Sequence, residues 1–187
     1  MKTIIALLAA LIILPAQAQT RLDIIQLGHP TLRQTARELT PSEVRSPEMQ
    51  TLIDDMIHTM KQAGGVGLAA PQVNKSLRLF VMKSGTFSRP EVVINPVVDY
   101  LEEHGQQDSV EGCLSIPGRS LRVRRYKRLH MSYLNRRGEH VVEEVKGFRA
   151  IISQHEYDHL NGVLIVDLID QANEYLDFAA YANAPLM

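Results

Sequence analysis

Apolar positions along the chain fall into three regimes: a solid run at the start, two helix-spaced stripes, and short alternating stretches between them. The clearer stripe follows Ser46, a good N-cap, with Pro47 suited to the first helical position. Met49, Leu52, Ile53, Met56, Ile57 and Met60 then recur on one face, and Gly64 and Gly65 end the pattern. These methionines hold the buried positions of the stripe, which makes them core rather than ligands. A second helical pattern starts at Gly147, places Phe148, Ile151, Ile152, His155 and His159 on one face, and stops at Asn161-Gly162. A further helix is predicted over 167–181.

Between the stripes the period becomes that of strands. Residues 77–82 are short and apolar, and 92–94 and 97–101 flank Pro96, which predicts an edge or a bend. Residues 121–128 and 130–134 alternate, and Asn135-Arg136-Arg137-Gly138 is a turn candidate leading into 141–145. Near the start, residues 22–33 read as a short strand closing in a turn at Gly28 and Pro30. Arg122, Arg124, Arg125, Lys127 and Arg128 form a basic cluster, read as a solvated strand face because no aromatic platform interleaves it.

The first apolar run stands apart. Lys2 precedes it, Pro15 breaks it, and Ala16-Gln17-Ala18 supplies a small-x-small cleavage pattern. Against a packed apolar helix or a membrane anchor, the favoured reading is a secretory signal over 1–18 and a single domain over 19–187. The run is too short to span a bilayer comfortably, so no stable membrane span is expected after cleavage. The 187 residues suffice for one domain with a real core, and a formal net charge of -1 gives no bulk electrostatic case for nucleic acid. Cys113 is the only cysteine, so no internal disulfide can form.

The chemistry concentrates in Gln154-His155-Glu156-Tyr157-Asp158-His159. Residues four apart on a helix share a face, so His155 and His159 aim at one point and form half of a metal site. Glu156 supplies a base for metal-assisted hydrolysis. A His pair alone recurs on many solvated helices, and this one is a protein ligand short of the usual three. Cys113, in Glu111-Gly112-Cys113-Leu114-Ser115, is either a buried filler or that soft ligand. A Gly-rich turn, Gly65-Val66-Gly67-Leu68-Ala69-Ala70-Pro71-Gln72, permits close backbone approach, and the Gln72 amide can donate to an oxyanion. No Gly-Lys-Ser/Thr follows, which excludes a phosphate loop.

Taken in order, these three blocks and Gly28-His29-Pro30-x-Leu32-Arg33 resemble the peptide deformylase family over roughly residues 22 to 170. The resemblance implies an α+β fold, with antiparallel sheets around a central metal-binding helix. It implies one divalent metal ion, commonly Fe²⁺ and also Zn²⁺ or Ni²⁺, on Cys113, His155 and His159. Glu156 would move the proton, and Gln72 with the Leu114 backbone N–H would stabilise the oxyanion. Gly67 would pair with the substrate backbone, Val66, Ile151 and Ile152 would line the methionine pocket, and Glu111 and Asp158 would support the ligands. The substrates implied are N-formyl-methionyl peptides, hydrolysed with release of formate.

Both chain ends depart from that pattern. Family members act in the cytosol or an organelle, whereas the signal-like start predicts export to the periplasm or beyond; the cytoplasm is the alternative. Bacterial members dock on the ribosome through a basic C-terminal extension, but here no Lys or Arg follows Arg149, and Asp167, Asp170, Glu174 and Asp177 are acidic. Ribosome docking is therefore not expected. Thiolate-bound Fe²⁺ is vulnerable to oxygen outside the cytosol, which predicts Zn²⁺ in an exported copy. Two rivals compete: a zinc metallopeptidase taking Glu174 as third ligand, and a formyl-peptide binder without catalysis.

Overall fold

A computed structural model of the chain describes residues 19–85, 89–169 and 176–177. The signal-like segment 1–18 lies outside the described residues. Among those described, a short helix α1 (Pro41–Val44) and a long helix α2 (Pro47–Gln62) precede strands β1 (Gly67–Ala69), β2 (Leu79–Met82) and β3 (Glu91–Tyr100). Then come β4 (Gln106–Cys113), β5 (Ile116–Tyr126), β6 (Arg128–Leu134), β7 (His140–Lys146), helix α3 (Phe148–Leu160) and a two-residue strand β8 (Leu176–Asp177). Two sheets result, a five-stranded one in the order β1-β2-β3-β6-β7 and a three-stranded one in the order β4-β5-β8. Their strands pair antiparallel throughout. The α+β class follows.

Helix α2 begins as its sequence dictates: the Ser46 hydroxyl accepts from Met49 N–H at 3.2 Å, and Pro47 needs no partner for a missing N–H. Met49, Ile53, Met56 and Met60 are buried and pack with Leu68, Leu79 and Val81 of the sheet. Helix α3 enters from Gly147, whose φ of 63° is open to glycine and strained for other residues. It lies against β1, β2, β5 and β7. Ala150, Ile152 and Leu160 join Ala69, Phe80, Met82 and Met131 in the core. Phe148, at the helix start, is exposed instead.

The bend at Pro96 is real but lies within one strand. β3 runs unbroken past it, with a register shift between Ile94 and Val97 and Asn95 at φ 50°. The Asn95 side chain stabilises the irregularity: its Oδ1 accepts from Leu39 N–H at 2.9 Å and its Nδ2 donates to Leu39 O at 2.8 Å.

Two expected elements differ. Residues 22–27 form no strand ladder, because their backbone spreads its bonds over three elements. Leu22 N–H donates to Thr59 Oγ1 at 2.9 Å, Ile25 N–H to Gln72 O at 2.9 Å and Leu27 N–H to Ser115 O at 2.9 Å. The segment is a strap over α2, the Gln72 turn and the β4–β5 turn. The helix predicted over 167–181 lies mostly outside the described residues; at Leu176 and Asp177 the chain is extended and pairs with Ser120 and Arg119, which satisfies part of the β5 edge.

Candidate active site

Helix α3 carries the centre of the site. Its inward face holds His155, Glu156 and His159, all buried. Cys113 reaches the same point from the end of β4, where the register slips between Gly112 and Cys113 before β5 begins. The Cys113 Sγ lies 3.3 Å from His159 Nε2. One ligand atom from each of Cys113, His155 and His159 falls within 4.8 Å of the others.

The donor chemistry fits a metal ion. Tetrahedral bonds of about 2.0–2.3 Å set neighbouring ligand atoms about 3.3–3.7 Å apart, and the Cys113–His159 separation falls at that spacing. The His155 Nε2 atom is fully buried and has no hydrogen-bond partner among the described residues. Burying such an atom unpaired costs free energy that a ligated cation removes. Its other nitrogen, Nδ1, lies 3.0 Å from Glu111 Oε2, which turns Nε2 toward Cys113 and His159. Burial, reinforced by His155, pushes His159 well below the usual histidine range, leaving the neutral imidazole that ligation needs. Without an ion, burial pushes the Cys113 thiol up to about 12; a bound cation reverses that balance and favours the thiolate.

Glu156 has both carboxylate oxygens fully buried and without a hydrogen-bond partner among the described residues. Burial, then the charges of Glu111 and Asp158, push its carboxyl well above the ordinary range. It sits directly under Gly67: a Cβ added there would meet Glu156 Oε1 at 2.1 Å and Cγ at 3.0 Å. Gln72 is fully buried, and its orientation is fixed from behind, since Oε1 accepts from Ala69 N–H at 2.8 Å. Its Nε2 therefore points to Ser115 Oγ at 3.3 Å and Cys113 Sγ at 3.7 Å. Leu114 lies in the turn between β4 and β5, close to the Gly-rich segment: a Cβ on Gly65 would meet Leu114 Cδ1 at 2.8 Å. Val66 and Ile151 are half-buried against the core around α3, and Ile152 is entirely within it.

Beneath these residues runs a buried ionic chain. Arg125 donates through Nε and one terminal nitrogen to the two oxygens of Glu111, both at 2.8 Å, and through the other to Asp158 Oδ2 at 2.6 Å. Burial pushes the Glu111 carboxyl up, but the bonds from Arg125 and His155 outweigh it and hold it at about 2. Burial likewise raises Asp158 despite Arg125 beside it. Reading Arg125 as part of a solvated basic face was therefore wrong. It lies on the inward side of β5 with Leu121 and Val123, while Arg122 and Arg124 point outward. Spacing by two from Leu121 carries the signal. Gln154 opens the α3 motif, but the sequence assigned it no role. It accepts from Tyr126 N–H and donates to Tyr126 O, both at 2.9 Å, and so ties β5 to α3.

Comparison with known proteins bears on the family and the fold. A family model described as polypeptide deformylase matches residues 21–175. The chain is 44% identical over 149 residues to a peptide deformylase of Thermotoga maritima, covering 80% of this chain and 87% of that protein. It is 41% identical over 156 residues to one of Fusobacterium nucleatum, covering 83% and 88%. The crystal structure of the Thermotoga maritima enzyme superposes with a TM-score of 0.76 at 42% identity, covering 81% of this chain and 99% of that one. A class I type b enzyme from Acinetobacter baumannii, with Met-Ala-Ser bound, gives 0.76 at 32% identity and covers 81% and 100%.

Proposed function

The chain belongs to the peptide deformylase family, and on that premise we propose that Cys113, His155 and His159 hold one divalent metal ion with Glu156 as the general base beside it. The protein is an enzyme, a metal-dependent peptide deformylase that hydrolyses the N-formyl group and releases formate. Neither the metallopeptidase nor the non-catalytic reading is favoured, and Glu174, the peptidase's extra ligand, lies outside the described residues. One observation supports the site assignment: among the described residues, a fully buried, unpartnered His155 Nε2 lies beside the Cys113–His159 pair, with an unpartnered Glu156 carboxylate next to it.

When bound, the ion supplies Lewis acidity, which makes water a competent nucleophile at neutral pH and polarises the formyl carbonyl. Glu156 accepts the proton of the attacking water and passes it to the departing amine. The Gln72 amide, pre-aimed by Ala69, and the Leu114 N–H donate to the carbonyl oxygen as it gains negative charge. Gly67, at the start of β1, pairs with the substrate backbone as an added strand. Val66 and Ile151, backed by Ile152, receive the methionine side chain. A relative's crystal structure holds Met-Ala-Ser, which supports formyl-methionyl peptides as the substrates here.

A Cys/His₂ set accepts Fe²⁺, Zn²⁺ and Ni²⁺, so supply decides among them. We propose residues 1–18 as a cleaved secretory signal, from Lys2, the apolar run and Ala16-Gln17-Ala18, and Zn²⁺ as the ion of an exported enzyme. No described helix is long and apolar enough to cross a membrane. N-terminal sequencing and elemental analysis of protein taken from its native compartment test both; an intact Met1 or stoichiometric iron refutes the respective reading. The acidic C-terminal segment argues against ribosome binding, which co-sedimentation at low salt checks. For the activity itself, metal-loaded protein should release formate from formyl-Met-Ala-Ser and lose this on chelation. Absence of release from fully loaded protein overturns the reading.

A further inference from the structure

We infer that Arg125 is a positioning residue of the metal centre: its guanidinium fixes the Glu111 carboxylate, which in turn fixes the His155 ring so that Nε2 faces Cys113 and His159. This rests on the metal site proposed above. The geometry is a continuous chain of contacts with no water-sized breaks. Asp158 Oδ2 accepts from one Arg125 nitrogen at 2.6 Å, Glu111 accepts two further Arg125 bonds at 2.8 Å each, and Glu111 Oε2 lies 3.0 Å from His155 Nδ1. The side-chain exposures of Arg125 and Glu111 are 5% and 0%.

Three features make this more than an internal ion pair. First, the Arg125–Glu111 contact is bidentate, so it sets the plane of the carboxylate as well as its location; a lysine in the same place would supply charge without a plane. Second, the fork joins both elements of the site. Glu111 is two residues from Cys113 on β4, and Asp158 is one residue from His159 on α3. A rotation of the guanidinium would move Glu111, the direct partner of His155, and would pull on the segments of β4 and α3 that carry Cys113 and His159. Third, the frame is clamped independently of the fork. Tyr126, next to Arg125, is bonded through both backbone groups to Gln154, next to His155. The backbones are thus held by Gln154, and Arg125 is left to orient side chains.

A buried pair of this kind is a weak source of net stability, because desolvation offsets most of the attraction. Its role therefore lies in what it orients and not in stability. Outer partners of ligating histidines typically govern metal affinity 10- to 100-fold.

The test is a double-mutant cycle read by metal retention. Full-length wild type, Arg125→Lys, Glu111→Gln and the double variant are loaded with Co²⁺. The rate of Co²⁺ loss to excess chelator and its visible spectrum are recorded, alongside the Tm of each apo-protein. Arg125→Lys should lose Co²⁺ about 10- to 100-fold faster with an altered spectrum. In the Glu111→Gln background the same substitution should add less than about threefold, because an amide with one acceptor oxygen cannot take both Arg125 bonds and the planar fork is already lost. Asp158→Asn, at the outer end of the fork, provides a milder variant if Arg125→Lys does not fold, and should accelerate loss in the same direction. Wild-type retention in the folded Arg125 or Asp158 variant overturns the inference, as does an equal acceleration in both backgrounds. Wild-type protein that binds no Co²⁺ overturns the metal site itself instead, so the two failures are distinguishable.

Discussion

Gly67→Ala isolates the tightest contact in the site. Gly67 starts β1 with a backbone that an L-residue can adopt, as its φ lies outside the left-handed range. Without steric conflict the change would stabilise the protein by about 0.4–1 kcal/mol through the unfolded chain. Instead the new Cβ falls 2.1 Å from Glu156 Oε1, 2.8 Å from Cδ and 3.0 Å from Cγ. A flexible carboxylate on a surface would swing aside, but Glu156 is fully buried, so relief requires movement of β1 or α3. Overpacking of this kind costs about 1–3 kcal/mol. A base displaced by about 1 Å costs about 10²-fold in rate. The assay is thermal unfolding plus kcat/KM in a cycle with Glu156→Ala. In the wild-type background Gly67→Ala should lower stability by about 1–3 kcal/mol. In the Glu156→Ala background, where the colliding atoms are gone, it should be neutral or slightly stabilising. Equal destabilisation in both backgrounds refutes the steric coupling.

Other outcomes follow from named contacts. Gln72→Ala should lower kcat by about 10²–10³ with little change in KM, on the proposal that its amide, oriented by Ala69, donates to charge that develops in the transition state; steady-state kinetics decide. Cys113→Ala should abolish tight metal binding while Glu174→Ala barely changes it, as measured by metal content after dialysis. Thermal stability in acid should depend in part on Glu43. Hydrogen bonds from Arg37 and Thr40 hold its carboxyl at about 2, against an ordinary value of 4.5. A depressed carboxyl stabilises the fold fully above pH 4.5 and loses that contribution as pH falls toward 2. Glu43→Gln should therefore flatten the acid limb of Tm against pH within that window.

Helix α2 was legible because its buried stripe is mostly apolar and Ser46 and Gly64 mark its ends; α3 was legible from Gly147, Asn161-Gly162 and its histidine spacing, since most of its buried face is polar. The β6–β7 hairpin was legible from alternation and its Asn135–Gly138 turn. β4 was not, and the reason is functional: its inward positions include Ser109, Glu111 and Cys113, so the face that should read apolar is occupied by the site. Arg125 was misread for the same cause, a charge standing where alternation calls for an apolar residue. Residues 22–27 failed differently. Their partners are three unrelated elements, and nothing local in a sequence records that. The Cys113, His155 and His159 cluster was recoverable because His155 and His159 share one helix, while Cys113 entered through its uniqueness and its motif.

The central claim is that Glu156 moves the proton beside a centre held by Cys113, His155 and His159. Formate release from formyl-Met-Ala-Ser, measured together with metal content on the same samples of wild type and Glu156→Ala, tests it most directly. The account predicts full metal content in both and a loss of about 10²–10⁴-fold or more in the variant. A metal-replete Glu156→Ala protein that deformylates at the wild-type rate would contradict it.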